Sequence, residues 1–451
     1  MVASLAGVLG LMREHGASRI YAKKLSPNDN SKNQVYLGGG FAALNVIPHS
    51  EIEIDQRQIR GSKQDRPKAK VRFFWVSEEG LTLAPDANLI LYPDYPEVRM
   101  SGFLKGCRAA PSDIMTVRDA GRVLFLGTTP EGAVLGFAVR EDHPAAKELI
   151  AREWPTLGIF LELPFSLTSA GDPRERLLEE LRRISDRGWI PSQKLGADGI
   201  KHPYRAQNGG GYTLEAELGI TPNGYAEPDF LGWEIKQYAV TDFRNYRPKT
   251  PVTLMTPEPN GGIYKDQSVT EFLRRFGYAD KKGREGRINF GGVYKCGKDF
   301  HADTGLSMAI RGFDPSSGKI GDINGGIELL TREGEPAATW SFAAMMAHWN
   351  RKHAQAAYVP ALADGPPPRY AYGSQILLCE QTDFIIFLKA FATGTIYYDP
   401  AVKLEIVDGI QKLKRRSQFR VRHADLRGLY GHSETVILPT GPIAGGGPVH
   451  P

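Results

Sequence analysis

The sequence has little cysteine and no long apolar segment. Its 451 residues include only three cysteines, Cys107, Cys296 and Cys379, which lie far apart. This pattern excludes a disulfide framework and a cysteine-based zinc site, so we expect buried thiols in a reducing cytoplasm. The longest apolar run, residues 384–388, stops at Lys389 and is far shorter than the roughly 20 residues that span a bilayer. We expect no membrane partner.

Net charge is also small, at +5, and the composition is ordinary, with 41% hydrophobic and 24% charged residues. These values exclude a disordered, fibrous or coiled-coil chain. The positive charge is concentrated in residues 57–72 and 411–427, each of which holds seven basic residues and one acidic residue. Two such segments offer a polyanion two docking surfaces. The alternative is a solvated strand edge for the first segment and a solvated helix for the second.

The length favours two or three domains. Residues 1–165 begin with a predicted helix over residues 1–15 and read as a β-rich domain. Its predicted strands are residues 34–37, 71–76, 89–92, 123–126 and 134–139. Residues 166–173 are the predicted linker, and a second domain over residues 172–435 begins with a predicted helix. Its apolar residues at helical spacing are Leu177, Leu178, Leu181 and Ile184. Residues 436–451, rich in glycine and proline from residue 439, are predicted to be a flexible tail.

Residues 229–236 combine an apolar face and a charged face on one predicted strand. Because side chains alternate along a strand, Gly232, Glu234 and Lys236 share the charged face. The residues predicted to face the core are Leu231, Trp233 and Ile235. Pro228 cannot sit in a central strand, so Asp229 is expected at the strand's entry, with its carboxylate turned towards Glu234.

Two neighbouring carboxylates repel each other unless a cation lies between them, and Mg²⁺ accepts such ligands while it retains water and phosphate oxygens. Lys236 would then orient or help deprotonate an attacking water, or stabilise charge on phosphorus. The alternative is a surface ion pair between Glu234 and Lys236, since Asp280 and Lys282 have the same spacing in a polar turn.

A glycine-rich segment precedes this strand. Gly209, Gly210 and Gly211 are predicted to form a tight turn into a short helix, which Gly219 ends at its C′ position. Glu215 lies on that helix and is expected to point towards the strand that bears Asp229.

Together the two segments resemble the MvaI/BcnI family of restriction endonucleases, relatives of the MutH nickase in the PD-(D/E)xK nuclease superfamily. The resemblance covers about residues 172–435 and continues through residues 253–259, 349–353, the hairpin-like 384–397 and 419–422. It implies an α/β fold, an α+β mixed sheet with a restriction-endonuclease-like core. Residues 1–165 match nothing in that family, and we expect an accessory DNA-binding or effector domain there, with a packing scaffold as the alternative.

By this resemblance Asp229 and Glu234 are metal-binding carboxylates, Lys236 is the catalytic lysine, and Glu215 supports the site. The implied cofactor is Mg²⁺, for which Mn²⁺ can substitute, and the implied partner is double-stranded DNA. We expect a monomer on DNA, with a dimer as the alternative. The expected setting is the bacterial cytoplasm, at the nucleoid when bound to DNA, alongside a cognate DNA methyltransferase.

The resemblance also implies base readout by the C-terminal lobe. Arg420 and Arg422 are the first candidates, because arginine pairs with guanine in a bidentate manner. The candidates for phosphate contacts are Lys412, Lys414, Arg415 and Arg416. His423 is open to a base contact or a structural role, whereas His348 and His353 are expected to be structural residues on a helix.

The prediction is a type II restriction endonuclease, a Mg²⁺-dependent enzyme that hydrolyses duplex DNA at a specific site for host defence. Water would attack phosphorus in line and expel the 3′ oxygen. One alternative is a DNA-nicking repair or modification-dependent nuclease. The other, a non-catalytic sequence-specific DNA-binding protein, is disfavoured because Asp229, Glu234 and Lys236 are all present.

Overall fold

The computed structural model describes residues 2–27, 34–54, 66–93, 95–164, 173–206, 208–221, 229–407 and 410–439. Pro228, residues 57–65 of the first basic segment, residues 166–172 of the predicted linker and residues 440–451 of the predicted tail lie outside these ranges. Within them, no helix is both long and apolar enough to span a membrane.

The first part of the chain is rich in strands. Its helices are α1 (Leu5–Glu14), α2 (Ala43–Val46), α3 (Ser112–Met115) and α4 (Pro144–Ile150). Its strands are β1 (Arg19–Lys24), β2 (Val35–Gly39), β3 (Glu53–Ile54), β4 (Pro67–Lys70), β5 (Arg72–Ser77), β6 (Gly80–Ala84), β7 (Asn88–Tyr92), β8 (Glu97–Ser101), β9 (Val123–Thr128), β10 (Ala133–Val139), β11 (Thr156–Leu157) and β12 (Phe160–Leu163). The five predicted strands correspond to β2, β5, β7, β9 and β10, and the predicted first helix to α1.

Mixed elements follow up to residue 341. The helices are α5 (Pro173–Asp186), α6 (Gly209–Glu217), α7 (Ile263–Asp266) and α8 (Val269–Phe276). The strands are β13 (Ile190–Pro191), β14 (Gln193–Leu195), β15 (Lys201–Pro203), β16 (Glu234–Ala239), β17 (Val252–Met255), β18 (Tyr278–Ala279), β19 (Arg287–Gly291), β20 (Ser307–Arg311), β21 (Phe313–Asp314), β22 (Lys319–Ile320), β23 (Gly326–Leu330) and β24 (Pro336–Ser341).

The last part holds the longest strand. Its helices are α9 (Phe342–His353), α10 (Phe384–Ala392) and a 3-10 helix (His423–Leu429). Its strands are β25 (Gln355–Asp364), β26 (Arg369–Tyr372), β27 (Gln375–Glu380), β28 (Tyr397–Tyr398), β29 (Ala401–Val407), β30 (Ile410–Lys414), β31 (Phe419–Val421) and β32 (His432–Ile437). β32 therefore includes the first two residues of the segment predicted to be a tail.

The chain divides into two compact units. Unit 1 comprises Met1–Ala170, Thr256–Asn350 and Asp383–Gln418, and unit 2 comprises Gly171–Met255, Arg351–Thr382 and Phe419–Pro451. The first change of unit falls inside the predicted linker. However, two segments of the family-like region, residues 256–350 and 383–418, group with the N-terminal part of the chain.

Unit 1 contains a seven-stranded sheet in the order β11-β12-β1-β9-β10-β5-β6 and a five-stranded sheet in the order β2-β8-β7-β4-β3. Helices α1 and α4 contribute Val8, Met12 and Leu149 to a core with Phe125 and Leu135 of the larger sheet. A four-stranded sheet, β18-β19-β29-β30, and a three-stranded sheet, β20-β23-β24, complete the larger sheets described for this unit.

One expectation, the hairpin-like segment 384–397, and one alternative, the helix over residues 411–427, are wrong. Residues 384–397 do not form a hairpin, because Asp383 caps helix α10 by accepting a hydrogen bond from the Ile385 N–H at 2.7 Å. The α10 residues buried at helical spacing are Phe384, Phe387, Leu388 and Phe391. The basic segment 411–427, which crosses from unit 1 into unit 2, is not one helix, since it runs through β30 and β31 into the 3-10 helix.

Unit 2 is built on a mixed sheet in the order β13-β26-β25-β27-β32, with β16 parallel to β25. Helix α5 buries Leu177, Leu181 and Ile184 against this sheet, as its spacing predicted, whereas Leu178 is only partly buried. The same core takes Leu214 from α6 and Trp233 beside β16. Strand β16 is thus held between a neighbouring strand and a helix-covered core.

The three cysteines are free. Cys107 and Cys379 are buried as expected, whereas Cys296 is only half-buried, because it lies in the loop between β19 and β20.

Candidate active site

A tight turn over residues 230–233 immediately precedes β16, the charged strand that carries Glu234 and Lys236. The N–H of Phe230 donates to the Trp233 carbonyl at 2.9 Å, and the N–H of Trp233 donates back at 2.8 Å. Leu231 and Gly232 have φ of 49° and 88°, as in the type I′ turn that favours glycine. Two predictions are therefore wrong: Leu231 is exposed and Gly232 lies in the turn, so neither is on the strand. Trp233 and Ile235 are buried as predicted.

The turn returns Asp229 to the start of β16. Its Oδ2 accepts a hydrogen bond of 2.9 Å from the Ile235 N–H. Asp229 therefore lies at the entry of the strand that carries Glu234 and Lys236.

Glu234 is the most enclosed carboxylate of this group, with a side chain only 1% exposed. Its Oε1 accepts a short hydrogen bond from Lys236 Nζ, and Lys352 Nζ lies 3.5 Å from the same oxygen. Its Oε2 is buried and has no hydrogen-bond partner among the residues that the structure describes. The pairing of Glu234 with Lys236 exists, as the ion-pair alternative required, but it is buried rather than superficial.

Lys352 is a residue of this cluster that the sequence did not identify. It is the penultimate residue of α9, which leads directly into β25. The parallel register sets Glu234 beside Ala356 and Lys236 beside Tyr358, so the start of β25 lies next to the charged strand. Only the position of Lys352 in the family-like run 349–353 could have singled it out.

Helix α6 carries Glu215, the third carboxylate of the cluster. Gly209, Gly210 and Gly211 form its first turn, so the predicted turn at these glycines is wrong. Because glycine has no side chain, α6 can lie close to Ser192 and to Gln237 of β16. A Cβ on Gly209 would lie 2.4 Å from Ser192 Oγ, and one on Gly210 would lie 2.9 Å from Gln237 Oε1. The helix thus packs directly on β16.

The end of α6 follows the prediction. Gly219 has a φ of 74° at C′, and the Ile220 N–H donates to the Glu215 carbonyl at 2.8 Å, which is a Schellman motif. Buried Glu217 anchors the same helix by accepting hydrogen bonds from Arg187, Gln193 and Lys201. These contacts fix the last turn of α6, which contains Glu215.

The carboxylates influence one another electrostatically. Burial and the charge of Asp229 raise the pKa of Glu215 to about 7. Burial and the charge of Glu234 raise the pKa of Asp229 to about 6. Burial also opposes ionisation of Glu234, but Lys236 and Lys352 outweigh it and lower the pKa of Glu234. Glu234 in turn raises the pKa of Lys236 against the effect of burial.

This donor set fits a hard divalent cation. Oε2 of Glu234 is a buried acceptor without a partner among the described residues. The pKa of Asp229 is raised by burial and by repulsion from Glu234, and a cation would relieve that repulsion. In the part of the chain that the structure describes, no three acidic, histidine or cysteine side chains form a metal-binding group. Mg²⁺ suits such a site, because it needs only one or two carboxylates and keeps several waters.

The candidates for base readout lie in unit 2. Arg420 donates to the Pro251 carbonyl at 2.7 Å, and exposed Arg422 pairs with Asp425. The His423 ring packs 4.3 Å from the Tyr238 ring, and its Nε2 has no hydrogen-bond partner within the described chain. The candidates for phosphate contacts are exposed residues of unit 1, namely Lys412, Lys414, Arg415 and Arg416.

The histidine beside Lys352 has the structural role that was expected. His353 is buried, with Nε2 3.0 Å from the Leu254 carbonyl and Nδ1 2.9 Å from the Tyr430 hydroxyl. Tyr358 continues this arrangement with a 2.8 Å hydrogen bond to Tyr430. His353 therefore ties the end of α9 to β17 and to the segment after the 3-10 helix.

Strand β16 thus carries Glu234 and Lys236, with Asp229 at its entry and Glu215 on the adjacent helix α6, which is the grouping that the sequence predicted. The model of the MvaI/BcnI restriction endonuclease family matches residues 178–430. The match covers more than half of the chain, which therefore belongs to the MvaI/BcnI restriction endonuclease family. It is accordingly an enzyme of the type II restriction endonuclease class, a site-specific DNA endonuclease, and the predicted fold class is confirmed.

Solved structures that are similar to the chain include two of restriction endonuclease MvaI. The complex of restriction endonuclease MvaI with its cognate DNA substrate has 19% sequence identity and a TM-score of 0.44. Restriction endonuclease MvaI in the absence of DNA has 16% identity and a TM-score of 0.32. Each comparison covers 60% of this chain and 100% of the other. No curated protein matches the chain.

Proposed function

We propose that this endonuclease uses Mg²⁺ to hydrolyse phosphodiester bonds of double-stranded DNA in a restriction, host-defence role. The observation that carries this proposal is the burial, ionisation and hydrogen bonding of Glu234. It is a buried, ionised carboxylate with two lysines on one oxygen and a second oxygen without a partner among the described residues. Such a group is suited to hold a metal ion beside a lysine that can reach substrate.

Asp229 and Glu234 would hold the ion. Bound Mg²⁺ supplies Lewis-acid polarisation of a phosphoryl oxygen and a more acidic bound water. Glu215, whose pKa is about 7, is available to take a proton near neutral pH, because catalytic acids and bases work best with a pKa near the operating pH.

The raised pKa of Lys236 keeps its ammonium protonated. Lys236 would therefore orient the attacking water and stabilise charge on phosphorus, and would not remove a proton. When Lys236 turns to substrate, Lys352 remains beside Glu234 and keeps that carboxylate ionised. Water then attacks phosphorus in line and the 3′ oxygen leaves, with a 5′ phosphate as product.

The test is digestion of unmethylated plasmid and bacteriophage DNA with the full-length protein and Mg²⁺, with run-off sequencing of the ends. We expect discrete fragments from the wild type and none from Lys236→Ala. Lys282→Ala is the matched control, because exposed Lys282 follows Asp280 at the same spacing as Lys236 follows Glu234. Cleavage by Lys236→Ala at the wild-type rate would disprove the assignment.

A methylated copy of the same plasmid completes the test. Cleavage of this copy alone would replace restriction of unmethylated DNA with a modification-dependent role. A binding-only role would require intact DNA in both arms and no heat of Mg²⁺ or Mn²⁺ binding in calorimetry with DNA present. We further propose action as a monomer in the bacterial cytoplasm alongside a cognate DNA methyltransferase, and sedimentation of the protein–DNA complex tests the monomer.

A further inference from the structure

Beyond Ala239 the charged strand continues into a tight loop. The Thr241 N–H donates to the Arg247 carbonyl at 2.9 Å, and the Lys249 N–H donates to the Ala239 carbonyl at 2.8 Å. Between these bonds Val240 and Pro248 form an isolated bridge. Residues 241–250, here called the basic loop, are therefore a direct extension of the strand that carries Glu234 and Lys236.

The backbone of the basic loop is fixed by its only acidic residue. Oδ1 of Asp242 accepts hydrogen bonds from the N–H groups of Arg244 and Asn245, at 2.8 and 2.7 Å. Oδ2 accepts a hydrogen bond of 3.0 Å from the Thr241 hydroxyl. Asp242 is thus occupied by its own loop and does not pair with an arginine side chain.

Two aromatic rings hold the loop within unit 2. Phe243 and Tyr246 lie 5.7 Å apart between ring centroids, and the Tyr246 hydroxyl is 3.2 Å from Ser374 Oγ. Both rings press on Gly373, where an added Cβ would lie 2.7 Å from Tyr246 and 2.8 Å from Phe243. These contacts attach the loop to residues 373 and 374, while its basic side chains remain exposed to solvent.

The charges of this loop are not neutralised. Arg244, Arg247 and Lys249 are exposed, and none of them forms an ion pair with a residue that the structure describes. Many other basic residues of unit 2 have acidic partners. Those that do include Arg174, Arg183, Arg187, Lys201, Arg369 and Arg422. Three exposed cations on a loop held by its own hydrogen bonds form a docking surface for a polyanion.

We propose that the basic loop grips the phosphate backbone of duplex DNA at a distance from the scissile bond. This inference rests on the proposed function. Thr241 is five positions beyond Lys236, which is roughly 17 Å along a strand, or about five base-pair steps along the DNA helix axis. Contacts with phosphates position a duplex without reading its sequence, so the loop would set register for every DNA alike.

The test measures DNA affinity across a salt series in the full-length Lys236→Ala protein, which we expect to bind DNA without cutting it. Adding Arg244→Ala and Arg247→Ala should weaken binding about tenfold near physiological salt. The slope of log affinity against log salt should fall by about two, equally for specific and unrelated duplexes. Arg176→Ala with Arg182→Ala, two changes on helix α5, is the charge-matched control and should leave the slope unchanged.

Arg244→Lys with Arg247→Lys should retain the parental slope, because the charges remain, and this shows that the loop still folds. An unchanged slope in the Arg244→Ala, Arg247→Ala protein would overturn the inference while the proposed function stands. An effect limited to one sequence would also overturn it and would indicate base readout. If the Lys236→Ala parent bound no duplex at all, the proposed function would fail, and this inference with it.

Discussion

Lys352 Nζ lies 3.5 Å from Oε1 of Glu234, a residue 118 positions away in the sequence. The same oxygen accepts a hydrogen bond from Lys236. A carboxylate buried to this degree would be costly to ionise alone, and the two ammonium groups offset that cost. The ionised state of the candidate metal ligand therefore depends on a strand pairing between β16 and β25.

The first prediction concerns Lys352→Met. Removing this cation should raise the pKa of Glu234 and lower the cleavage rate by about 10- to 100-fold, the usual effect of losing a group that supports a metal ligand. DNA affinity, measured by anisotropy, should change little, whereas single-turnover cleavage should slow. Lys352→Arg, which keeps the charge, should recover most of the rate. Equal rates for the methionine variant and the wild type would show that Lys236 alone keeps Glu234 ionised.

The second prediction concerns pH. In the metal-free protein Asp229 and Glu215 have pKa values raised to about 6 and about 7. A cation binds ionised Asp229, and its charge also favours the ionised form of Glu215. Mg²⁺ affinity should therefore rise as pH increases through these values, and binding at lower pH should release protons. Calorimetry at several pH values, in buffers of different ionisation enthalpy, measures both effects. Glu215→Gln should remove the part of this pH dependence that is centred near pH 7. A pH-independent Mg²⁺ affinity would contradict the prediction.

The raised pKa values of Asp229 and Glu215 also make the free energy of unfolding depend on pH. Because the folded-state pKa of each group is raised, the folded protein holds protons that the unfolded chain releases. The contribution of these groups to the free energy of unfolding therefore falls as pH rises from about 4, near the unfolded values, to about 7. Thermal unfolding of the metal-free protein at several pH values measures this dependence. The slope of the free energy of unfolding against pH should be smaller in Glu215→Gln.

The third prediction concerns His353. Since a carbonyl can only accept, Nε2–H of His353 donates to Leu254, and in the neutral ring Nδ1 accepts from Tyr430. His353→Leu would remove the hydrogen bond to the Leu254 carbonyl and the one to Tyr430, which keeps its hydrogen bond to Tyr358, and this should reduce the free energy of unfolding by about 2–4 kcal/mol. Thermal unfolding with hydrogen exchange on β25 measures the loss. His432→Leu, an exposed change on β32, is the control and should have an effect within about 0.5 kcal/mol.

The fourth prediction concerns the N-terminal region. Asp383 accepts hydrogen bonds from the N–H groups of Phe41 at 2.6 Å and Ile385 at 2.7 Å, so it joins the start of α10 to the segment before α2. Deleting residues 1–165 should therefore leave residues 256–350 and 383–418 without most of their unit, and the product should unfold or aggregate. Circular dichroism and size-exclusion chromatography measure this outcome. A soluble, cooperatively folding and active fragment would show that residues 172–435 form an independent domain.

Asp383→Ala is a milder form of the same test in the intact chain. Loss of the helix cap and of the contact with Phe41 should lower the stability of unit 1 by about 1–3 kcal/mol. Asp399→Ala, another acidic residue in the same segment, provides a comparison for a change that does not remove the α10 cap.

The local parts of the site could be predicted from the sequence. Alternation identified Trp233 and Ile235 as core residues, helical spacing identified the buried face of α5, and Gly219 marked the end of the helix that carries Glu215. Each of these signals depends on a few neighbouring residues, because strand and helix periods and helix caps are local properties.

Other features depend on contacts between distant parts of the chain. Leu231 is apolar and alternates correctly, yet the positive φ of the turn, in which Gly232 also takes part, keeps it out of the core. The apolar run at 384–388 is compatible with a strand or a helix, and its burial together with the Asp383 cap favours the helix. No sequence period relates Lys352 to Glu234 or groups residues 256–350 with the N-terminal region. Those relationships arise because strand pairing and core packing join segments irrespective of their separation in the chain.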